Sequence, residues 1–174
     1  YAVFANGGYR VSPYIIREIR NERNEVVAMS KNPEAGDEGI RVIDPRNAFL
    51  MDTMLRDVTR YGTATRASVL LKRKDLAGKT GTTNESMDAW FCGYQMSVVS
   101  CTWIGFDQPR KLGDKETGGS AALPIWINYM REALRNVPEQ LPEAPEGLTL
   151  LGGGEGRFAN HVYTENLPKT AGTD

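Results

Sequence analysis

Residues 75–107 constrain the fold of this chain more than any other stretch. They contain three candidate strands, 76–82, 89–95 and 98–106, which follow one another with short connections. Connections of this length suit antiparallel pairing, whereas a parallel pair needs a crossover of about a dozen residues or more. The sequence therefore predicts an antiparallel sheet in the middle of the chain.

Helical patterns lie on both sides of these strands. Asp44 and Pro45 predict the start of a helix, because Asp is a good N-cap and Pro is tolerated at the first helical position. Gly62 should end this helix, and a later one is predicted over 121–135. Helical spacing predicts a buried face consisting of Leu50, Met51, Met54, Leu55 and Val58. It also predicts four side chains that face water, Arg46, Asp52, Arg56 and Arg60.

Shorter patterns complete the predicted fold. Residues 1–5 resemble a helix end, 14–20 and 25–29 a hairpin, and Val69-Leu70-Leu71 an edge strand. The predicted fold class is α+β, a mixed fold with an antiparallel sheet and packed helices. Residues 1–135 should form one domain, and the Pro- and Gly-rich residues 136–174 a mobile tail.

Composition excludes several functional classes. The chain has 174 residues with 40% hydrophobic and 25% charged residues, and its formal net charge is −1. The one basic run, Lys72-Arg73-Lys74, is too short to predict nucleic-acid binding. No apolar run reaches the roughly 18 residues of a membrane span. His161 has no Cys or His partner nearby in the sequence, so we expect neither a metal site nor a cofactor.

The two cysteines, Cys92 and Cys101, leave two interpretations open. If Met96-Ser97 is a two-residue turn, the cysteines lie opposite each other on paired strands, and a longer loop would separate them. Buried free thiols are the favoured interpretation, because free Cys is often buried. A cross-strand disulfide is the alternative.

The segment Gly78-Lys79-Thr80-Gly81-Thr82-Thr83 is suited to binding an anion, since it combines a cation, hydroxyls and little bulk. It is not a nucleotide-binding P-loop, which requires Gly at position 73, where this chain has Arg, and a helix directly afterwards. As a strand, it places Lys79 and Gly81 on one side and Thr80 and Thr82 on the other. The two hydroxyls can then donate jointly to a carboxylate, and an edge position would let the backbone pair with an extended peptide.

Lys79-Thr80-Gly81 resembles the third signature of the penicillin-binding proteins and serine β-lactamases. The context makes the resemblance specific, because further motifs occur in the order found in the C-terminal part of the transpeptidase domain of bifunctional class A penicillin-binding proteins. These motifs are YAVFANGG at 1–8, RYGTA at 60–64, GKTGTTN at 78–84, DAWF at 88–91 and WIGFD at 103–107. The similarity covers residues 1–135.

The resemblance implies a peptidoglycan D,D-transpeptidase, which forms an acyl-enzyme through a serine and is acylated by β-lactams. It implies that Lys79 supplies the site's cation, that Thr80 and Thr82 bind the substrate carboxylate, and that Gly81 keeps the strand edge open. The backbone N–H of Thr82 would be an oxyanion-hole donor. The implied partners are the peptidoglycan stem peptide and β-lactams, and the implied location is the periplasmic face of the bacterial inner membrane.

Parts of the family pattern are missing from this sequence. No serine is followed three residues later by a lysine, so the nucleophilic Ser-x-x-Lys motif is absent. Ser30-Lys31-Asn32 matches the family's Ser-x-Asn motif, but at the wrong place in the motif order. We therefore expect a C-terminal fragment, inactive alone, whose partner is the missing N-terminal part. The alternative function is a non-catalytic module that docks peptides or proteins.

Overall fold

The computed structural model describes residues 1–30, 39–152 and 160–167. The helices are α1 (Ala2–Ala5), α2 (Pro45–Arg60), α3 (Thr65–Leu71) and α4 (Leu123–Ala133). The strands are β1 (Tyr9–Arg10), β2 (Glu18–Arg20), β3 (Val26–Met29), β4 (Ile40–Arg41), β5 (Ala77–Thr82), β6 (Ala89–Gln95), β7 (Val98–Ile104), β8 (Leu148–Leu151) and β9 (Asn160–Tyr163).

The central sheet has the strand order β5-β6-β7, and both pairings are antiparallel. The three predicted strands are confirmed to within a few residues of their expected ends. Gln95 pairs with Val98, so Met96-Ser97 is a two-residue turn. This turn fixes the register of the whole β6–β7 pair, because a shift of one residue would move every side chain to the opposite face.

Helices cover both faces of this sheet. On one face, α4 buries Trp126 against Phe91 of β6 with the ring centroids 4.9 Å apart, and both side chains are fully buried. The Trp126 indole N–H donates to the carbonyl of Ser100 at 3.0 Å, which satisfies its polar atom inside the core. On the other face, α2 packs against Ala77 and Tyr94. The core therefore holds β5 firmly at its first half.

Helix α2 begins as predicted, because Asp44 caps it by accepting the Arg46 backbone N–H at 2.9 Å. The predicted burial of its faces is wrong at three positions. Asp52 and Arg56 are buried, with 6% and 8% exposure, while Met54 is 55% exposed. Asp52 bonds to Arg56 Nε at 2.6 Å and accepts from the Tyr94 hydroxyl at 2.9 Å, so its charge is paired inside the protein. Hydrophobic periodicity does not detect polar residues that are buried with partners.

The Asp52 carboxylate also changes the chemistry of Tyr94. Burial and the neighbouring negative charge both raise the pKa of the Tyr94 phenol. The phenol therefore remains protonated at neutral pH and serves as a hydrogen-bond donor between β6 and α2.

Val69, Leu70 and Leu71 do not form the predicted edge strand. They belong to helix α3, which ends at Lys72 in the left-handed conformation with φ of 53°. Ala64 and Ala67 are fully buried there, whereas Val69 and Leu70 are 65% and 50% exposed. The short run of three apolar residues was misleading because the fully buried contacts of this segment are made by the small alanines, while only Leu71 of the run packs against the core.

The cysteines are neither free nor buried. Cys92 and Cys101 lie directly opposite each other in the β6–β7 register and form a disulfide with a Cα–Cα distance of 4.1 Å. The favoured interpretation of the sequence, buried free thiols, is therefore wrong. The two-residue turn brings the thiols together on the α2 side of the sheet, and Cys101 is exposed there.

Smaller elements surround the core. The predicted hairpin around 21–24 is confirmed as the antiparallel pair β2–β3. Residues 136–174, expected to be a tail, contain the antiparallel pair β8–β9, and His161 of β9 packs edge-on against Phe49 of α2. The mobility of this segment remains a prediction, and residues 153–159 and 168–174 lie outside the described ranges. Among the described residues, no helix has the length and hydrophobicity needed to cross a membrane.

Candidate active site

Strand β5 lies at one edge of the central sheet, because within the described residues it pairs only with β6. Its free edge can be identified from one bond. The Thr83 N–H donates to the Asp88 carbonyl at 3.1 Å, and these residues continue the register in which Thr82 lies opposite Ala89. Hydrogen-bonded residues alternate along an antiparallel strand, so Gly81 and Lys79 also face β6. The N–H and C=O groups of Thr80 and Thr82 therefore point away from the sheet.

The side chains of β5 alternate between the two faces of the sheet. Thr80 lies opposite Phe91 and shares its face, on the α4 side, with Thr82. Lys79 and Gly81 lie on the other face, opposite Cys92 and Trp90. The structure thus brings together the two hydroxyls that sequence reasoning placed on one side, at the position where the strand edge is open.

Lys79 is exposed, and its ammonium group reaches around the strand edge to Thr80. Its Nζ donates to the Thr80 carbonyl at 2.9 Å and to the Thr80 hydroxyl at 3.2 Å. These bonds hold the cation beside the outward-facing backbone of Thr80. The positive charge therefore lies beside the Thr80 hydroxyl, although the Lys79 side chain leaves the opposite face of the sheet.

A threonine from another element reaches the same place. Thr63, in the connection between α2 and α3, lies with its Oγ1 at 3.1 Å from Thr80 Oγ1. In the sequence, Thr63 is part of the motif RYGTA, which by itself predicts no role for this side chain. No local pattern signals the contact, because it joins segments 17 residues apart.

The approach to α4 supplies another unpredicted contact. The Gly118 N–H donates to Thr82 Oγ1 at 3.0 Å. Gly118 must be glycine here, since a Cβ would lie 2.3 Å from the Trp90 carbonyl oxygen and 2.7 Å from that of Gly81. Gly118–Ala122 form one turn of π-helix before α4, and its start is fixed by Thr117 and Ser120, whose side chains each accept from the other's backbone N–H. Sequence reasoning treated this stretch only as a link to the helix.

The end of β5 is held by its own loop. Thr83 Oγ1 accepts the Asp88 N–H at 2.7 Å, and the Asp88 carboxylate accepts the Trp103 indole N–H at 2.8 Å. Glu85 and Ser86 both have positive φ, at 62° and 53°, which makes this a tight and strained connection. The loop therefore limits where Thr82 can move at the open end of the strand.

Gly81 has an additional packing constraint. A Cβ at this position would lie 3.2 Å from the Trp90 Cβ on the face away from the hydroxyls.

Among the described residues, no group of three or more His, Cys, Asp or Glu could hold a metal ion. The Ser30-Lys31-Asn32 match extends from Ser30 into residues outside the described ranges.

The sequence matches a known domain over most of its length. A family profile described as penicillin binding protein transpeptidase domain covers residues 1–125. The chain belongs to the penicillin-binding protein transpeptidase family. The resemblance inferred from the motifs is therefore confirmed at the level of the family.

Individual penicillin-binding proteins support this assignment. The chain is 45% identical over 165 residues to penicillin-binding protein 1A of Neisseria lactamica, an alignment that covers 95% of this chain and 20% of that protein. It is 39% identical to penicillin-binding protein 1A of Pseudomonas aeruginosa over 87% of this chain and 24% of that protein. The chain thus spans about a fifth of the length of the curated relatives it matches.

A solved structure confirms the predicted fold class. The crystal structure of penicillin-binding protein 1A from Haemophilus influenzae matches with a TM-score of 0.84 at 29% identity. The match covers 96% of this chain and 31% of that chain. The mixed arrangement of helices and antiparallel sheet is therefore that of a penicillin-binding protein transpeptidase domain.

Proposed function

We propose that this chain forms the carboxylate-binding wall of a peptidoglycan D,D-transpeptidase. The observation that carries the proposal is the position of the Thr80 and Thr82 hydroxyls on one face of an open-edged strand, with the Lys79 ammonium bonded to Thr80. Hydroxyl protons beside a fixed cation suit the carboxylate at the end of a D-Ala-D-Ala peptide. Hydrogen bonds to a charged group contribute about 1.5 to 3 kcal/mol each, which is enough to orient the ligand.

In the proposed reaction, a serine hydroxyl attacks the carbonyl carbon between the two D-Ala residues. The terminal D-Ala leaves with a proton, and an amine of a neighbouring stem peptide then takes the acyl group from the serine. The serine is expected in a part of the protein outside this sequence, which has no Ser-x-x-Lys motif. This chain would bind and orient the peptide for that attack.

The backbone of β5 has a second role in this proposal. The outward-facing Thr82 N–H can donate to the oxyanion that forms on the attacked carbonyl. Removing a donor of this kind typically costs about 2.7 to 4 kcal/mol of transition-state stabilisation. The outward C=O of the same residue can accept from the peptide N–H, so the substrate would add as an extended strand to the free edge.

The proposal includes partners and a location. A β-lactam carries a carboxylate beside a reactive carbonyl and would occupy the same groups, leaving the serine acylated. Strand β7 forms the other edge of the sheet, because within the described residues it pairs only with β6. We infer that the remainder of the same protein covers this edge. The protein would work at the periplasmic face of the bacterial inner membrane.

The test is covalent labelling of the full-length protein that carries this sequence with a fluorescent penicillin. Thr82→Val removes the hydroxyl and retains the shape, so the second-order labelling rate should fall about 10-fold or more. Thr102→Val, on β7 and away from the open edge, is the matched control and should label at the wild-type rate. A wild-type protein that takes no label would contradict the proposed function.

The alternative is a module that docks a peptide carboxylate without chemistry. Its supporting observation is the same open strand edge in a sequence that lacks the nucleophilic motif. Mass spectrometry after incubation with penicillin separates the two functions. A transpeptidase gains the mass of the opened β-lactam on a serine of the full-length protein, whereas a docking module binds D-Ala-D-Ala peptides and gains no mass.

A further inference from the structure

Thr63 contacts the candidate carboxylate site without lying on its strand. Its hydroxyl is 3.1 Å from that of Thr80, and the Lys79 ammonium is 3.2 Å from the same Thr80 oxygen. A threonine hydroxyl has one proton to donate and two lone pairs that accept. Lys79 can only donate, so it occupies one lone pair of Thr80. The direction of the Thr63–Thr80 bond then decides what remains for a ligand.

If Thr63 is the donor, both lone pairs of Thr80 are used and its proton remains available. The Thr82 proton likewise remains available, because the Gly118 N–H donates to the Thr82 oxygen at 3.0 Å and occupies one of its lone pairs. A carboxylate accepts hydrogen bonds and donates none, so it requires donors at both positions. We propose that Thr63 is a positioning residue that directs the Thr80 proton to the substrate carboxylate, and this inference rests on the function proposed above.

The connection that carries Thr63 does not need its hydroxyl to fold. Ala64 is fully buried and its N–H donates to the Val58 carbonyl at 3.1 Å. Thr65 closes the turn by donating its hydroxyl to the Gly62 carbonyl at 2.6 Å. Thr63 itself is exposed, and its hydroxyl forms a hydrogen bond with Thr80. The hydroxyl therefore serves the site and not the turn.

The turn before α4 limits the space around this contact. A Cβ at Gly119 would lie 3.4 Å from the Thr63 carbonyl oxygen and 3.9 Å from Thr80 Cγ2. Gly118 and Gly119 thus approach Thr82 and Thr63 from the same side. The α2–α3 connection and the start of α4 together position the two hydroxyls of β5.

The experiment compares a penicillin with its methyl ester as acylating agents of the full-length protein. Thr63→Val should lower the second-order acylation rate by the penicillin about 10-fold, the size expected for one hydrogen bond to a charged ligand. The rate with the ester, which lacks the carboxylate charge, should change less than about two-fold. Thr63→Ser retains the hydroxyl and should restore the penicillin rate, and Thr63→Ala provides a second removal of the hydroxyl if the valine variant is unstable.

Thr65→Val is the matched control, because it removes a hydroxyl from the same turn that does not contact β5. It should reduce thermal stability while leaving the ratio of penicillin to ester rates unchanged. Equal losses with penicillin and ester in Thr63→Val, or failure of Thr63→Ser to restore the rate, would overturn the role of Thr63. Wild-type protein that is not acylated at all would instead overturn the proposed function itself, so the two failures are distinguishable.

Discussion

Gly118 donates its backbone N–H to the hydroxyl of Thr82 at 3.0 Å, which joins the segment that leads into α4 to the open edge of the central sheet. Gly118→Ala should disturb this bond, because the new Cβ would lie 2.3 Å from the Trp90 carbonyl oxygen. We expect a loss of about 1 to 3 kcal/mol in stability and a lower rate of penicillin acylation. Gly119→Ala meets no atom closer than 3.4 Å and should lose less stability. Calorimetry measures the stability of both variants, and labelling kinetics measure their acylation rates. A Gly118→Ala protein as stable as wild type would contradict the predicted steric clash.

Lys79→Ala should lower acylation without altering the fold. Lys79 is exposed, and among the described residues its ammonium group bonds to Thr80, within the site. Loss of a charged hydrogen-bond donor costs about 1.5 to 3 kcal/mol, which corresponds to a rate reduced roughly 10- to 150-fold. Lys74→Ala, on an exposed lysine before β5, is the control and should acylate normally. An unchanged rate in Lys79→Ala, measured by stopped-flow labelling, would remove Lys79 from the site.

The buried pair of Asp52 and Arg56 should be sensitive to removal of one partner. Asp52→Ala leaves the Arg56 guanidinium and the Tyr94 hydroxyl without their common acceptor. The expected destabilisation is about 3 to 5 kcal/mol. Tyr94→Phe removes only the neutral donor and should cost about 1 kcal/mol. Denaturant unfolding measures the loss of unfolding free energy in each variant. A smaller loss for Asp52→Ala than for Tyr94→Phe would be inconsistent with a buried charge pair.

Asp75 should make the protein more stable at neutral than at acidic pH. Burial alone would raise the pKa of its carboxyl, but hydrogen bonds from Arg73 and from the Gln140 N–H lower that pKa below the ordinary 3.8. A lowered folded-state pKa stabilises the protein above about pH 3.8, and this contribution is lost as the pH falls through the folded-state value.

The check is the unfolding free energy of wild type and Asp75→Asn at several pH values. The variant should be less stable by about 3 kcal/mol at pH 7, since Arg73 loses its charged partner. The difference should shrink as the pH falls below 3.8 and through the lower folded-state pKa, because Asp75 becomes protonated first in the unfolded chain and then in the folded protein. A difference independent of pH would contradict the lowered pKa.

The Cys92–Cys101 disulfide should stabilise the β6–β7 hairpin. It closes a short loop with a sequence separation of 9. The chain-entropy model gives about 2 to 3 kcal/mol for a loop of this size. Replacing both cysteines with serine should lower the melting temperature, and a reducing agent should do the same to wild type. The reductant should have no effect on the double variant, and equal sensitivity of both proteins would exclude the disulfide as the cause.

Much of the site follows from local sequence patterns. The alternation of Lys79, Thr80, Gly81 and Thr82 on a strand follows from backbone geometry, and so does the shared face of the two hydroxyls. The tight turn at Met96-Ser97 made a directly opposed pair of cysteines one of two possible outcomes. The start of α2 was predictable because Asp44 and Pro45 act within one turn of the helix.

Other features were not predictable because they depend on distant partners. Asp52 and Arg56 are buried because Tyr94, on β6, satisfies the carboxylate from across the interface. The Val69-Leu70-Leu71 run is helical because Ala64 and Ala67 pack into the core below it. Local hydrophobicity gives no information on these distant contacts. The predicted exposure of Asp52 and Arg56 and the predicted edge strand at 69–71 were therefore both wrong.

The sequence by itself determined the antiparallel strands, the family and the identity of the groups on β5, because backbone periodicity and motif order are properties of neighbouring residues. Only the tertiary structure decided that β5 lies at a sheet edge and that Thr63 and Gly118 contact its hydroxyls. Those contacts join segments 17 and 36 residues apart, and their distances are set by how α2, α3 and α4 pack on the sheet. Packing thus determines how the Thr80 and Thr82 hydroxyls are held beside the open edge of β5.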